Sequence, residues 1–214
     1  MDAELIYICG PDGVGKSTQA KLVMESFKKK GKSYEYRWLR YHHLFSLPLL
    51  GIARLRGLSE VQTLENGEKI GYHYFYKSKI ISSVYPLLLF LDSLIFSIAK
   101  LYIPRVVFKK NIVCDRFIYD TLIDLIISTH KTNLHWSLIG NNFLSLIPKN
   151  TKIVMLLAEE AELRQRRADV MQDKTLEMKM DLYRNFADKF DIYVIDASLP
   201  IDYVHKEILK KIGY

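Results

Sequence analysis

A chain of 214 residues suits one domain with room for a small lid. With 49% hydrophobic residues it can bury a full core, which excludes a disordered chain. Lys and Arg total 31 against 24 Asp and Glu, and the resulting net charge of +7 favours anionic partners without choosing between nucleotides, nucleic acid and an acidic membrane.

In chain order, Leu5–Cys9 is an apolar run that reads as a strand, and the acids before it do not suit a signal peptide. From Thr18 to Lys30 the pattern is helical, with Ala20, Val23 and Phe27 on one face, three lysines in the last turn and Gly31 behind them. Tyr34, Tyr36 and Trp38 alternate with Glu35 and Arg37, as in a half-exposed strand over 33–39. Further strands are expected at 111–114, 152–157 and 191–195, and helices at 65–103, 117–128, 159–167, 175–190 and 201–212. Short apolar runs alternating with helices predict a parallel α/β sheet. Cys9 and Cys114 lie in apolar runs and read as buried thiols in a reducing cytoplasm.

The stretch Ile80–Ile103 is nearly all apolar and about long enough to cross a bilayer. Pro86, Asp92 and Lys100 interrupt it, and an acid near the middle is costly in lipid. It is expected to be a buried helix that also serves as a dimer contact, with no stable membrane insertion; a membrane-facing surface helix is the alternative.

One motif decides the chemical class. Gly10-Pro11-Asp12-Gly13-Val14-Gly15-Lys16-Ser17 matches G-x-x-x-x-G-K-[ST] between a strand and a helix, with Thr18 following. Glycines let such a loop wrap closely around phosphates with its amides pointing inward, and the following helix adds its positive end. Lys16, expected in an accessible loop, is assigned to the β- and γ-phosphates of ATP, and the Ser17 hydroxyl to Mg²⁺. Asp115-Arg116-Phe117 ends the strand near 111–114, and ligands gather at the carboxyl ends of strands in open α/β sheets. Asp115 is a candidate for Mg²⁺ and Arg116 for an acceptor anion; the same two residues also suit a local ion pair. Arg164, Arg166 and Arg167 close an acidic helical stretch, fitting either a lid over about 159–175 that neutralises transferring charge or a solvated helix end. Arg37, Arg40, His42 and His43 follow the second strand and suit an acceptor pocket or ordinary surface.

With these residues in view, the chain resembles the thymidylate kinase family of P-loop nucleoside monophosphate kinases over most of its length. Gly10 to Gln19 is similar to the family's phosphate loop, and Asp12 to its loop carboxylate, which touches the acceptor sugar. Asp115-Arg116-Phe117 is similar to its D-R-[YFH] motif, whose Arg grips the acceptor phosphate. Gly13 together with the arginines at 164–167 resembles the subgroup with catalytic arginines in the lid, and Ala197, within Ile195–Ser198, matches the loop beside the donor base. The resemblance implies a P-loop NTPase three-layer α/β fold with a five-stranded parallel sheet, ATP and Mg²⁺ as cofactors, and a homodimer.

The departures concern the acceptor. Where the family has Ser and then Ala-Tyr-Gln, this chain has Asp120 and then Ile123-Asp124-Leu125, and Asp92-Ser93 replaces Asp-Arg. Donor chemistry therefore carries over and thymine recognition does not. The expectation is a cytoplasmic kinase for a small, phosphorylated acceptor, with no nucleic-acid partner. A kinase for a nucleoside, sugar or lipid-linked alcohol, and a membrane-associated ATPase, are the rivals.

Overall fold

The computed structural model describes residues 3–40, 42–64, 66–67 and 69–214. Met1, Asp2, Tyr41, Glu68 and Glu65, where one of the expected helices begins, lie outside them. In chain order the elements are β1 (Leu5–Cys9), α1 (Lys16–Lys29), β2 (Tyr34–Trp38), α2 (Ser46–Leu55), β3 (Ser59–Thr63), β4 (Lys69–His73), α3 (Lys79–Ser97) and α4 (Ile103–Val106). They continue with β5 (Asn111–Asp115), α5 (Ile118–Thr129), α6 (Leu138–Ser145), β6 (Thr151–Leu157), α7 (Glu160–Arg166), α8 (Ala168–Met171), α9 (Leu176–Lys189), β7 (Tyr193–Asp196) and α10 (Ile201–Ile212).

Five strands form one sheet in the order β2-β5-β1-β6-β7, all paired in parallel, and β3-β4 form a separate antiparallel hairpin. Every residue of β1 is buried because the strand lies at the centre and is covered on both faces. Alternation along the strands divides the core in two. Leu5, Tyr7, Cys9, Cys114 and Met155 face α3, α5, α6 and α9, whereas Ile6, Ile8, Val113, Val154 and Leu156 face α1 and α10. Cys9 and Cys114 are buried free thiols on the first of these faces. This is the expected three-layer P-loop architecture.

At the amino edge of the sheet, Glu4 accepts hydrogen bonds from the Tyr34 hydroxyl at 2.6 Å, Lys152 at 3.2 Å and Lys32 at 3.3 Å. These bonds, the Tyr34 hydroxyl foremost, hold the Glu4 carboxyl below its ordinary pKa.

The expected single helix over 65–103 is corrected. Its first part is strand β4 and a short 3₁₀ turn at Phe75–Lys77, and α3 starts only at Lys79, where the Ser78 hydroxyl accepts from the Ile81 amide. After Ser97 the helix widens into a π-helical turn over Ile98–Tyr102 and ends in α4. The segment Lys79–Val106 is long and apolar enough to cross a membrane, with mean hydropathy 1.8 over its most apolar window, of which 39% is buried. The expectation of a buried helix holds for one side only. Ile81, Tyr85, Leu89 and Asp92 are buried, while Ile80, Leu87, Leu91 and Ile95 are exposed.

Asp92 has a structural task. It lies buried in α3, where its carboxylate accepts from the Phe45 and Ser46 amides at 2.7 and 3.0 Å and from the Ser46 hydroxyl at 2.5 Å. It thereby caps the start of α2, a helix the sequence reading did not include.

Candidate active site

The carboxyl ends of all five parallel strands carry the candidate groups. The phosphate loop follows β1, Arg40 follows β2, Asp115 ends β5 with Arg116 next, α7 follows β6, and Ala197 follows β7. Ile8 and Trp38 both pair in register with Asp115, which sets the loop and the post-β2 segment beside it.

Gly10 adopts φ 142°, and a Cβ there would lie 2.2 Å from the Leu156 carbonyl oxygen, so only glycine passes between β1 and β6. Gly13, at φ 80°, has the Val170 side chain of α8 3.3 Å from where its Cβ would be, so the segment carrying the three arginines lies against the loop. Pro11, Val14 and Lys16 are buried, Asp12, Gly13 and Gly15 are half-buried, and Ser17 and Thr18 are exposed.

Lys16 is 4% exposed, which corrects the expectation of an accessible side chain. Its Nζ donates to the Gly10 and Pro11 carbonyls, both at 2.6 Å. Burial lowers its pKa to about 8, against the opposing pull of the Asp120 and Asp115 carboxylates. A triphosphate would restore the charge that burial disfavours.

Ser17 Oγ and the Tyr36 hydroxyl both donate to Asp115 Oδ2, the latter at 2.8 Å. Asp115 Oδ1 is buried without a partner. An orphaned carboxylate oxygen beside a hydroxyl fits Mg²⁺, which takes one or two protein oxygens and completes its shell with phosphate and water. Among the described residues no three His, Cys, Asp or Glu side chains converge as an all-protein metal cage. Tyr36 was not among the sequence candidates, since an alternating strand gives no sign of which tyrosine reaches the next strand's end.

Arg116 takes a left-handed backbone, φ 65°, which is strained for a non-glycine residue, with its amide donating to the Ile8 carbonyl at 3.2 Å. Its guanidinium pairs with Asp12 Oδ1. Arg40 is bidentate to Asp124, at 2.7 Å from Nε and 2.6 Å from Nη2, and reaches Asp12 Oδ2 from Nη1 at 3.4 Å. Burial raises the Asp124 pKa, but the charge and hydrogen bonds of Arg40 outweigh it and hold the carboxyl below its ordinary value. Asp12, Arg116, Arg40 and Asp124 thus form one alternating chain of charge.

That chain borders a cavity of about 180 Å³, lined by the β4 end, α3, α5 and the start of α9. Tyr72, Tyr76, Tyr85, Phe96 and Phe117 supply aromatic walls, and Ser97 Oγ on the wall is buried without a partner. His42 and His73 also line it, and burial lowers both pKa values, leaving neutral imidazoles at pH 7. His43 instead bonds the Ser46 hydroxyl at 2.8 Å, and Arg37 pairs with Glu35. Asp120, where the resemblance led to Ser, is buried and accepts from the Tyr7 and Tyr183 hydroxyls at 2.8 and 2.7 Å.

The three lid candidates are not equivalent. Arg164 donates to Glu160 at 2.8 Å and to the Met171 and Asp173 carbonyls at 2.9 and 3.3 Å, tying α7 to the chain beyond α8. Arg166 donates to Glu162 and, at 2.7 Å, to the Ala197 carbonyl, so it braces the post-β7 loop. Arg167, half-exposed, is bidentate to Asp169.

No family model matches the chain, and no curated protein matches it. Among solved structures, thymidylate kinase from Ehrlichia chaffeensis aligns over 100% of both chains with a TM-score of 0.58 at 19% identity. The fold of this chain is thymidylate kinase-like.

Proposed function

We propose that the chain transfers the terminal phosphoryl group of ATP to a small acceptor, with a nucleoside monophosphate as the preferred class. The observation that carries this reading is the meeting, at one sheet edge, of the Lys16–Ser17–Asp115 group with the Arg116–Arg40 pair and the aromatic cavity behind it. The first set suits a triphosphate, the second an acceptor phosphate, and the cavity a flat, uncharged ring.

Lys16 and the loop amides would hold the donor phosphates, and Ser17 and Asp115 would hold Mg²⁺. The bound ion supplies neutralisation of phosphate charge. Arg116, released from Asp12, would grip the acceptor, and Arg40 would orient it while staying anchored on Asp124. Arg164, Arg166 and Arg167 would exchange their local acids for transferring charge as the α7–α8 lid closes. Positioning and electrostatics then account for most of the rate. The reading includes a cytoplasmic setting, supported by two free buried thiols. It also includes pairing of two chains through the exposed side of α3, supported by Ile80, Leu87 and Leu91, all more than two-fifths exposed.

The test is ADP formation from ATP·Mg²⁺ across nucleoside monophosphates, nucleosides and sugars, with the Arg116→Ala variant beside the parent. A monophosphate should be the best acceptor, and the variant should raise its KM about tenfold or more while leaving the ATP KM nearly unchanged, as a charged hydrogen bond of about 1.5–3 kcal/mol implies. Turnover only with uncharged acceptors, or equal effects on both KM values, would remove the assignment.

A further inference from the structure

One side chain of the β3–β4 hairpin touches both halves of the proposed site. Tyr72 is 5% exposed and lines the aromatic cavity from β4. Its hydroxyl donates to the Gln172 carbonyl at 3.1 Å and accepts from the Lys174 amide at 3.4 Å, and Lys174 Nζ stands 5.5 Å from the ring centre. Gln172 and Lys174 belong to the short linker between α8 and α9. The same linker gives the Asp173 carbonyl to Arg164, and its lower end is fixed by Asp173, which accepts from the Thr175 amide and from Lys179. Val170, two residues before Gln172, is the side chain that rests on Gly13 of the phosphate loop.

A path of direct contacts therefore runs from the cavity wall through the Tyr72 phenol and the linker to Arg164 on one branch and the phosphate loop on the other. Other polar contacts of the hairpin among the described residues include internal ones and one back toward α2. Ser59 bonds His73 at 2.8 Å, the Tyr74 amide donates to the Leu58 carbonyl at 2.9 Å, and the Tyr74 hydroxyl bonds Glu60 at 3.2 Å. We infer that Tyr72 is a positioning residue that latches the acceptor-side hairpin to the lid, so that ligand at one half of the site sets the order of the other. The inference rests on the reading of the cavity and lid given above. A coupling of this kind is reciprocal between the two ligands.

The experiment is hydrogen exchange on the whole chain, parent against Tyr72→Phe, which keeps the ring and removes both hydroxyl bonds. Without ligand, amides at 172–176 should exchange about tenfold faster in the variant, roughly 1.4 kcal/mol at 25 °C, while amides of β3 and β4 stay as in the parent. With a non-hydrolysable ATP analogue and Mg²⁺, the parent should gain protection in both the lid and the hairpin, and the variant in the lid alone. Unchanged exchange at 172–176, or full protection of the hairpin by the analogue in the variant, overturns the latch. If the variant loses the fold, Lys174→Pro removes the linker amide bond while leaving the one to the Gln172 carbonyl, and must weaken the coupling of the hairpin; coupling as strong as in the parent is equally fatal. A parent chain that binds no analogue defeats the kinase reading, and the ligand-free comparison then decides the latch separately.

Discussion

Lys16 is a buried cation at the head of α1. In the chain alone it is satisfied by two carbonyls of its own loop, and burial brings its pKa to about 8. A bound triphosphate favours the ammonium and raises that value. Binding should therefore take up a proton above pH about 8, and affinity should be fully present below that pH and fall as pH rises through it. Calorimetric titration at pH 8.5 in buffers of different ionisation enthalpy will report the uptake; its absence would mean that Lys16 does not meet the phosphates. Lys16→Ala should abolish phosphoryl transfer, measured as ADP formation, and near-normal turnover would exclude the phosphate-loop assignment. At this scale the sequence was most informative where a motif is contiguous. Gly10 to Ser17 and Asp115-Arg116 could be read directly because each motif is a few residues long. The pairing of Arg40 with Asp124 could not, because 84 positions separate the partners, and Asp124 seen alone looked only like an acid facing the acceptor.

Among the elements, strands with both faces covered were the most legible: β1, β5 and β6 are apolar runs too short for a helix. The hairpin was not. Ser-Glu-Val-Gln-Thr and Lys-Ile-Gly-Tyr-His carry too few apolar residues for a strand signal, and β4 runs almost directly into the long apolar helix that absorbed it in the reading. Helix α2 was missed for a related reason. Its amino end is capped by Asp92, 46 residues away on α3, so no capping residue stands before it in sequence. This cap makes an element-scale prediction. Asp92→Ala leaves the first amides of α2 unsatisfied and should cost about 2 kcal/mol in urea unfolding, near the upper end for a helix cap. Asp92→Asn, which keeps one acceptor oxygen, should cost less; equal stability of all three proteins would show that α2 is held by packing alone.

For the whole molecule, the sequence conveyed the layer order, and the structure adds the division of α3 into two sides. One side lines the cavity with Tyr85, Leu89 and Phe96, and the other exposes Leu87 and Leu91. An unbroken apolar run conceals that division, since periodicity vanishes when both sides are apolar. If two chains pair through this surface, Leu87→Glu with Leu91→Glu should convert a dimer to single chains in sedimentation velocity without altering the cavity side. A parent that sediments as one chain and instead floats with anionic vesicles would transfer the surface to a lipid partner.

The Glu4 cluster lies at the opposite end of the sheet from every candidate group. Five-residue strands set the two edges about 17 Å apart. That distance makes the amino edge a natural point of attachment. A chain anchored to a surface or carrying a bulky reporter beside Lys32 or Lys152 would present the end with the candidate groups outward and unobstructed, so single-molecule observation of the proposed turnover needs no redesign of the site.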